Sequence, residues 1–242
     1  TAPAAALADA YLDPAARELV ELARGRREES YRSLARYRTV VNEDIWAKLR
    51  LPGRDRLLFR RQDVARVDWP RGGTARVEVI GARELEPAET GAGAMHVPHG
   101  LRSDAAAHAF DPADDRIFLG FSDSSFIRHP LAAGAEADYR YRSGGTTVIR
   151  LQDGRRVRLR ELVVLPRRPS FQLVEGSLWV DSATNALVQA LLRPSAPFDI
   201  DRSEEVDPGD AKVIPGILKP LRLEIGYLVV EYSLHEMRWW LP

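Results

Sequence analysis

Between Thr146 and Pro166 the chain sets Asp153-Gly154 between two strand-sized runs, Thr146–Leu151 and Arg155–Pro166, and no other feature constrains the fold as much. Asp and Gly both tolerate the left-handed dihedrals of a primed two-residue turn, so the segment predicts an antiparallel hairpin. In its second arm Arg156, Arg158 and Arg160 alternate with Val157 and Leu159, which predicts one wet and one buried face. Leu162–Leu165 loses that alternation and is expected to be covered on both faces. Similar runs occur at Tyr37–Val41, Asp44–Leu51, Arg56–Arg61, Val64–Asp68 and Ala75–Ile80, and again at Tyr139–Arg142, Phe171–Asp181, Leu187–Arg193 and Leu221–Leu234. Pro52-Gly53-Arg54-Asp55, Pro70-Arg71-Gly72-Gly73, Ser143-Gly144-Gly145 and Asp181–Asn185 supply turns between them. The expectation is a mainly β, α+β chain of antiparallel hairpins.

One helix is expected near the start. Asp13 offers an N-cap oxygen, Pro14 suits the first helical position, and Leu12, Ala15, Ala16, Leu19, Val20, Leu22 and Ala23 supply an apolar stripe, with Gly25 and Arg26–Glu29 expected to end it. Residues 84–115 and 194–220 read as long loops, the first with a short helix at Ser103–His108, and Ile117–Ile127 reads as a second short helix. Residues 1–12 read as a flexible N-terminal segment of a single domain spanning 1–242.

The charge balance, 35 basic against 35 acidic residues, argues against a dedicated nucleic-acid binder. Only three of the basic residues are lysines (Lys48, Lys212, Lys219), a bias that reads as a GC-rich coding sequence. The absence of cysteine excludes disulfides, thiolate chemistry and Cys-ligated zinc. Apolar runs such as Leu162–Leu165 and Leu228–Val230 are strand-sized, too short for a membrane-spanning helix. The opening Thr1-Ala2-Pro3-Ala4-Ala5-Ala6 reads as the small-residue remnant of a removed export signal, and Trp239–Pro242 as the exposed apolar end of a truncated fragment.

Catalytic signals are weak. His96-Val97-Pro98-His99 has metal-like spacing with His108, Asp111, Asp114 and Asp115 downstream, but Pro98 keeps the histidines off one helical face and no glutamate base accompanies them. Phe110–Asp115 lacks the order and terminal Glu of a calcium loop. No Gly-x-Ser-x-Gly elbow, Walker loop or dinucleotide fingerprint is present. The pairs Arg60-Arg61, Arg155-Arg156 and Arg167-Arg168 read as solvated faces that blunt strand edges. The expectation is a non-enzyme with no catalytic residues, no metal and no cofactor. Trp46, Trp69, Trp179, Trp239 and Trp240 fall on expected strands, where large rings fill a core or line a pocket.

The initial Asp13-Pro14 helix, the succession of hairpins and the run Gly176-Ser177-Leu178-Trp179-Val180-Asp181-Ser182-Ala183-Thr184-Asn185-Ala186-Leu187-Val188 resemble the outer-membrane lipoprotein-sorting and carrier superfamily (LolA/LolB-like). There a Gly-x-Leu/Ile-Trp/Tyr-Ile/Val-Asp-x-x-Thr hairpin recurs. Leu162–Arg168 and Arg238–Pro242 are also similar to exported relatives of that fold. The family's Arg-Pro-x-x-Phe-Arg-Trp signature is degenerate here, as Leu49-Arg50-Leu51-Pro52-Gly53-Arg54.

The resemblance implies a strongly curved antiparallel sheet, an incomplete β-barrel roofed by the N-terminal helix and a few short helices as a lid. It implies a periplasmic or outer-membrane-associated binding protein that shelters a lipid or lipoprotein acyl chain. Each buried methylene contributes about 0.8 kcal/mol, so such a pocket needs no reactive group. On that reading Trp46, Leu58, Trp69, Leu178, Val180 and Leu191 line the cavity, with strand parity able to move any of them to the other face. The competing expectation is a structural or assembly module of the envelope, filled by its own side chains and binding a protein partner along a sheet edge.

Overall fold

The computed structural model describes residues 9–51, 54–85, 115–118, 126–151, 153–199, 222–225, 228–231, 233–235 and 239–241. Helix α1 (Pro14–Ser33) begins as expected: the Asp13 carboxylate accepts the Ala16 N–H at 2.8 Å, and Pro14 needs no partner for an N–H it lacks. Ala16, Leu19, Val20 and Ala23, spaced at three and four residues, form its buried stripe. The helix does not stop at Gly25. Ion pairs Arg26–Glu29 at 2.9 Å and Arg32–Glu28 lie one turn apart on its exposed side, so the charged run expected to end it instead supports two further turns.

The strands are longer than their sequence signals. Tyr37–Val41 and Asp44–Leu51 merge into β1 (Arg36–Leu51); Arg56–Arg61 and Val64–Asp68 merge into β2 (Arg54–Pro70); β3 is Arg76–Leu85. Ile117–Ile127, expected as helix, instead has at its ends the paired strands β4 (Arg116–Phe118) and β5 (Phe126–Arg128), whose β-branched and aromatic residues suit a pleated pair. The meander β6 (Tyr139–Arg150), β7 (Arg156–Pro166), β8 (Val174–Asp181) and β9 (Leu187–Pro194) follows. The turn between β6 and β7 has three residues, not two. Leu151 N–H donates to the Arg155 carbonyl at 2.8 Å, and of the described turn residues Asp153 and Gly154 only Gly154 takes positive φ, at 85°. The expected helix at Ser103–His108, and most of the two long loops, lie outside the described residues.

Two antiparallel ladders run in the orders β10-β11-β1-β2-β3 and β12-β9-β8-β7-β6, where β10 is Phe198–Asp199, β11 Arg222–Ile225 and β12 Leu228–Glu231. They are two separate sheets with no strand in common, joined by short connections. β9 leads after three residues into β10, and β11 after two into β12; β10 pairs with β11 just as β9 pairs with β12. Register shifts at Ala47/Lys48, Val64/Ala65, Ser143/Thr146 and Trp179/Val180 add local bends, and no pairing among the described residues closes β3 onto β6. The expected mainly β, antiparallel class with an N-terminal helix is observed, as two sheets rather than one.

Helix α1 covers one face of the sheet that holds β6–β9. Its stripe packs on Leu162, Val164, Leu178, Val180, Ala190 and Leu192, while Tyr31 and Leu34 at its end pack with Tyr37, Val67 and Trp69. The opposite face carries a separate cluster near the β6–β7 turn, formed by Leu159, Ala186, Val188 and Trp240, where β13 (Ser233–His235) pairs with β14 (Trp239–Leu241).

Candidate functional site

Of the expected lining residues, Leu178 and Val180 are 0% exposed and Trp69 1% exposed. All three lie on helix-covered faces, but in two separate clusters. Trp69 is caged by Tyr31 and Tyr37, whose ring centroids lie 5.9 and 5.3 Å away. Leu191 is 36% exposed and belongs to the other face of β9, since its neighbours Ala190 and Leu192 are the ones buried against α1. Trp46 pairs with Arg60, and Leu58 falls at the register shift opposite Ala47/Lys48; their side chains lie outside the described residues. Leu162–Leu165, expected to be covered on both faces, is sealed on one only: Leu162 and Val164 are buried, Val163 and Leu165 half-buried.

What seals the face is α1 together with residues 126–137, a segment with no obvious sequence signal. Ile127, Leu131, Ala132 and Ala135 enter the same core as α1. Two strand tyrosines pin this segment from below. Tyr139 donates its hydroxyl hydrogen to the Arg128 carbonyl at 2.8 Å, and Tyr141 to the Pro130 carbonyl at 2.6 Å. Burial pushes both phenols above their ordinary range, so they stay protonated donors. The visible signal for them was the alternation of Tyr139 and Tyr141 with Arg140 and Arg142.

At the rim Glu136 forms the centre of a polar network. Its carboxylate accepts from the Tyr11 hydroxyl at 2.6 Å and from Arg24 at 2.5 Å, while Arg24 Nε donates to the Leu131 carbonyl at 3.1 Å. Burial opposes ionisation of Glu136, but the Arg24 and Tyr11 hydrogen bonds outweigh it and hold the carboxyl below its ordinary range. Burial and the Glu136 contact push Tyr11 up to about 12. A carboxylate held ionised between a cation and a neutral phenol is a structural clasp rather than a general acid.

The edges differ. On β6, residues 10–12 add a short parallel pairing: Tyr141 N–H donates to the Ala10 carbonyl at 2.7 Å and Leu12 N–H to the Tyr141 carbonyl at 2.9 Å. Asp9 fixes it, accepting from Arg140 at 2.5 Å and Arg167 at 2.7 Å, which together draw its carboxyl down to about 2. The segment expected to be flexible up to residue 12 is therefore bound from residue 9 onward. At the far edge, β3 is paired, among the described residues, on one side only, with β2, and nine of its ten residues are exposed, among them Val79, Ile80 and Leu85 at 49%, 46% and 42%.

Among the described residues no group of three or more His, Asp or Glu side chains is placed to hold a metal, and no helix is long and apolar enough to cross a membrane. His96, His99 and His108 lie outside the described residues. No protein-family model and no curated protein matches the chain. A crystal structure of MucB matches with 14% identity and a TM-score of 0.28, over 92% of this chain. The match covers 61% of the MucB chain, and at this TM-score the likeness carries no argument.

Proposed function

We propose that the chain is a non-catalytic interaction module of the cell envelope, periplasmic or outer-membrane-associated, that receives an extended segment of a protein partner on the free edge of β3. The supporting observation is the contrast between a sealed interior and an open edge: Leu162, Val164, Leu178 and Val180 are 0% exposed, whereas Val79 and Ile80 are nearly half exposed on an edge strand. Unpaired backbone groups give such an edge affinity for any added strand, and exposed side chains select among them. A photocrosslinking residue replacing Val79 in cells is expected to trap a specific envelope protein, and Ile80→Lys to abolish the adduct. Equal trapping from Leu191, on the outer face, refutes the edge.

The second reading is acyl-chain binding, supported by the continuity of the apolar face under α1. If the helix moved aside it would uncover Leu162, Val164, Leu178, Val180, Ala190 and Leu192 together. In its present position those side chains have no surface left for a ligand. Native mass spectrometry of protein purified from cells distinguishes the readings, since carriage requires a co-purified lipid mass and the edge reading none.

A further inference from the structure

The face that α1 seals does not end where the helix does. Register pairs Arg160 with Thr146, Arg158 with Val148 and Arg150 with Arg156, all in line with the Leu162 row. Past the helix, then, the buried leucine and valine rows give way to four arginines on the same side of the β6–β7 hairpin. Arg150, Arg156 and Arg158 are exposed, and Val148 among them is 45% exposed. Arg150 and Arg156 stand directly opposite one another, a placement that brings Cβ atoms within about 5 Å and is unfavourable for like charges.

Nothing among the described residues neutralises this group. Neighbouring Arg155 is paired with Asp153 at 2.7 Å, and Arg160 donates to the Asn185 side-chain oxygen at 3.0 Å; Arg150, Arg156 and Arg158 have no ion pair or side-chain hydrogen bond. Some exposed arginines in this part of the chain do have acidic partners, Arg140 with Asp9, Arg168 with Asp138 and Arg193 with Glu175, whereas Arg142, on the other face of β6, has none among the described residues. In a chain of zero formal charge, the hairpin is a local excess of positive charge on an exposed surface.

We infer that this hairpin face docks on a bilayer surface bearing anionic phosphate headgroups, those with a net negative charge. Guanidinium forks match phosphate oxygens in pairs, and a row of them spreads over several headgroups at once. Val148, exposed between them, suits the apolar boundary just beneath the headgroups. Nucleic acid is the poorer fit, because among the described residues this face offers no aromatic ring on which a base can stack. A bound headgroup layer also relieves the repulsion between Arg150 and Arg156. The inference concerns a surface separate from the β3 edge and holds or fails independently of it.

The test is flotation of the purified chain with vesicles of phosphatidylcholine alone and of phosphatidylcholine mixed equally with phosphatidylglycerol. Binding is expected only to the mixed vesicles, weakening as salt screens the contact. Each arginine near such a surface strengthens binding about fivefold, so the triple variant R150Q/R156Q/R158Q is expected to lose affinity by about a hundredfold. The corresponding triple lysine variant keeps the charge and is expected to retain most of it, and R142Q, on the other face of β6, is expected to retain all. Each variant's circular dichroism verifies its fold. Equal binding to both vesicle types, an unchanged affinity in the glutamine variant, displacement by inorganic phosphate at matched phosphate concentration, or tighter binding to a single-stranded oligonucleotide overturns the inference.

Discussion

Gly176 opens the Gly-x-Leu-Trp-Val-Asp run, and its requirement for glycine is steric. Its φ is 143°, and a Cβ built there meets the Leu191 carbonyl oxygen at 2.1 Å, a backbone atom that cannot swing away. Gly176→Ala therefore has to push β9 off β8. The expected cost is about 3 kcal/mol or more, read from the urea midpoint, whereas Gly25→Ala, with open space around it, should stabilise the helix by roughly 0.5–1 kcal/mol. Asn185 is another case where residue type follows backbone: with φ at 57° it takes the left-handed position in the β8–β9 turn, and its side chain also accepts from Arg160. The Asn185 requirement was readable as turn chemistry, since Asp181–Asn185 reads as a turn, but that of Gly176, inside β8, was not, because its Leu191 contact depends on which strand lies alongside.

At the scale of elements, the lid is held at several points. Asp13 caps α1 and its second carboxylate oxygen accepts the Ser143 N–H at 2.9 Å, so one side chain starts the helix and ties it to the β6 irregularity. On the other lid segment, His129 Nδ1 accepts the Leu131 N–H at 2.9 Å, and its backbone N–H donates to the Asp115 carbonyl at 2.8 Å. Burial, with Arg27 and Arg24 nearby, pulls the His129 pKa from 6.5 down to about 3. Above pH 6.5 the imidazole is neutral in folded and unfolded chain alike. As pH falls from there toward 3, the unfolded chain takes up a proton that the folded chain refuses, so stability declines across that window. Chemical denaturation at a series of pH values is expected to show this decline beginning near pH 6.5 in the wild type. In His129→Gln, whose side-chain oxygen accepts from Leu131 without titrating, the decline is expected to begin only where carboxylates protonate.

For the whole molecule, the helix common to both cores governs how it unfolds. α1 contributes its first turns to the core over β6–β9 and its end to the cluster around Trp69, and the chain crosses from one ladder to the other between β9 and β10 and between β11 and β12. Losing either ladder would uncover part of the apolar surface of α1. A single transition is expected, with far-ultraviolet circular dichroism and tryptophan fluorescence giving the same midpoint. An earlier fluorescence midpoint, reporting separate loss of the Trp69 cluster, would show that the two ladders are independent units.

Much of the local structure was legible in the residues themselves. The Asp13-Pro14 start, the Pro70–Gly73 turn, the wet and dry rows of Arg156–Leu159 and the burial of Trp69, Leu178 and Val180 follow from capping, dihedral preference and period-two alternation, which act over a few residues. The position of Leu191 was not, because alternation fixes only that neighbours face opposite ways and leaves open which way each faces. Along β9 even that rule breaks at the register shift, which sends Val188 to the opposite face from Ala190. The rim network joins Tyr11 to Glu136, 125 residues away, and Arg167 to Asp9, 158 away. Such contacts carry no local periodicity and exist only once the sheet has brought its distant strands together. Local sequence therefore set the strands, turns and helix start, while long-range pairing decided which face is sealed, which edge stays open and which arginines are left without a counter-charge.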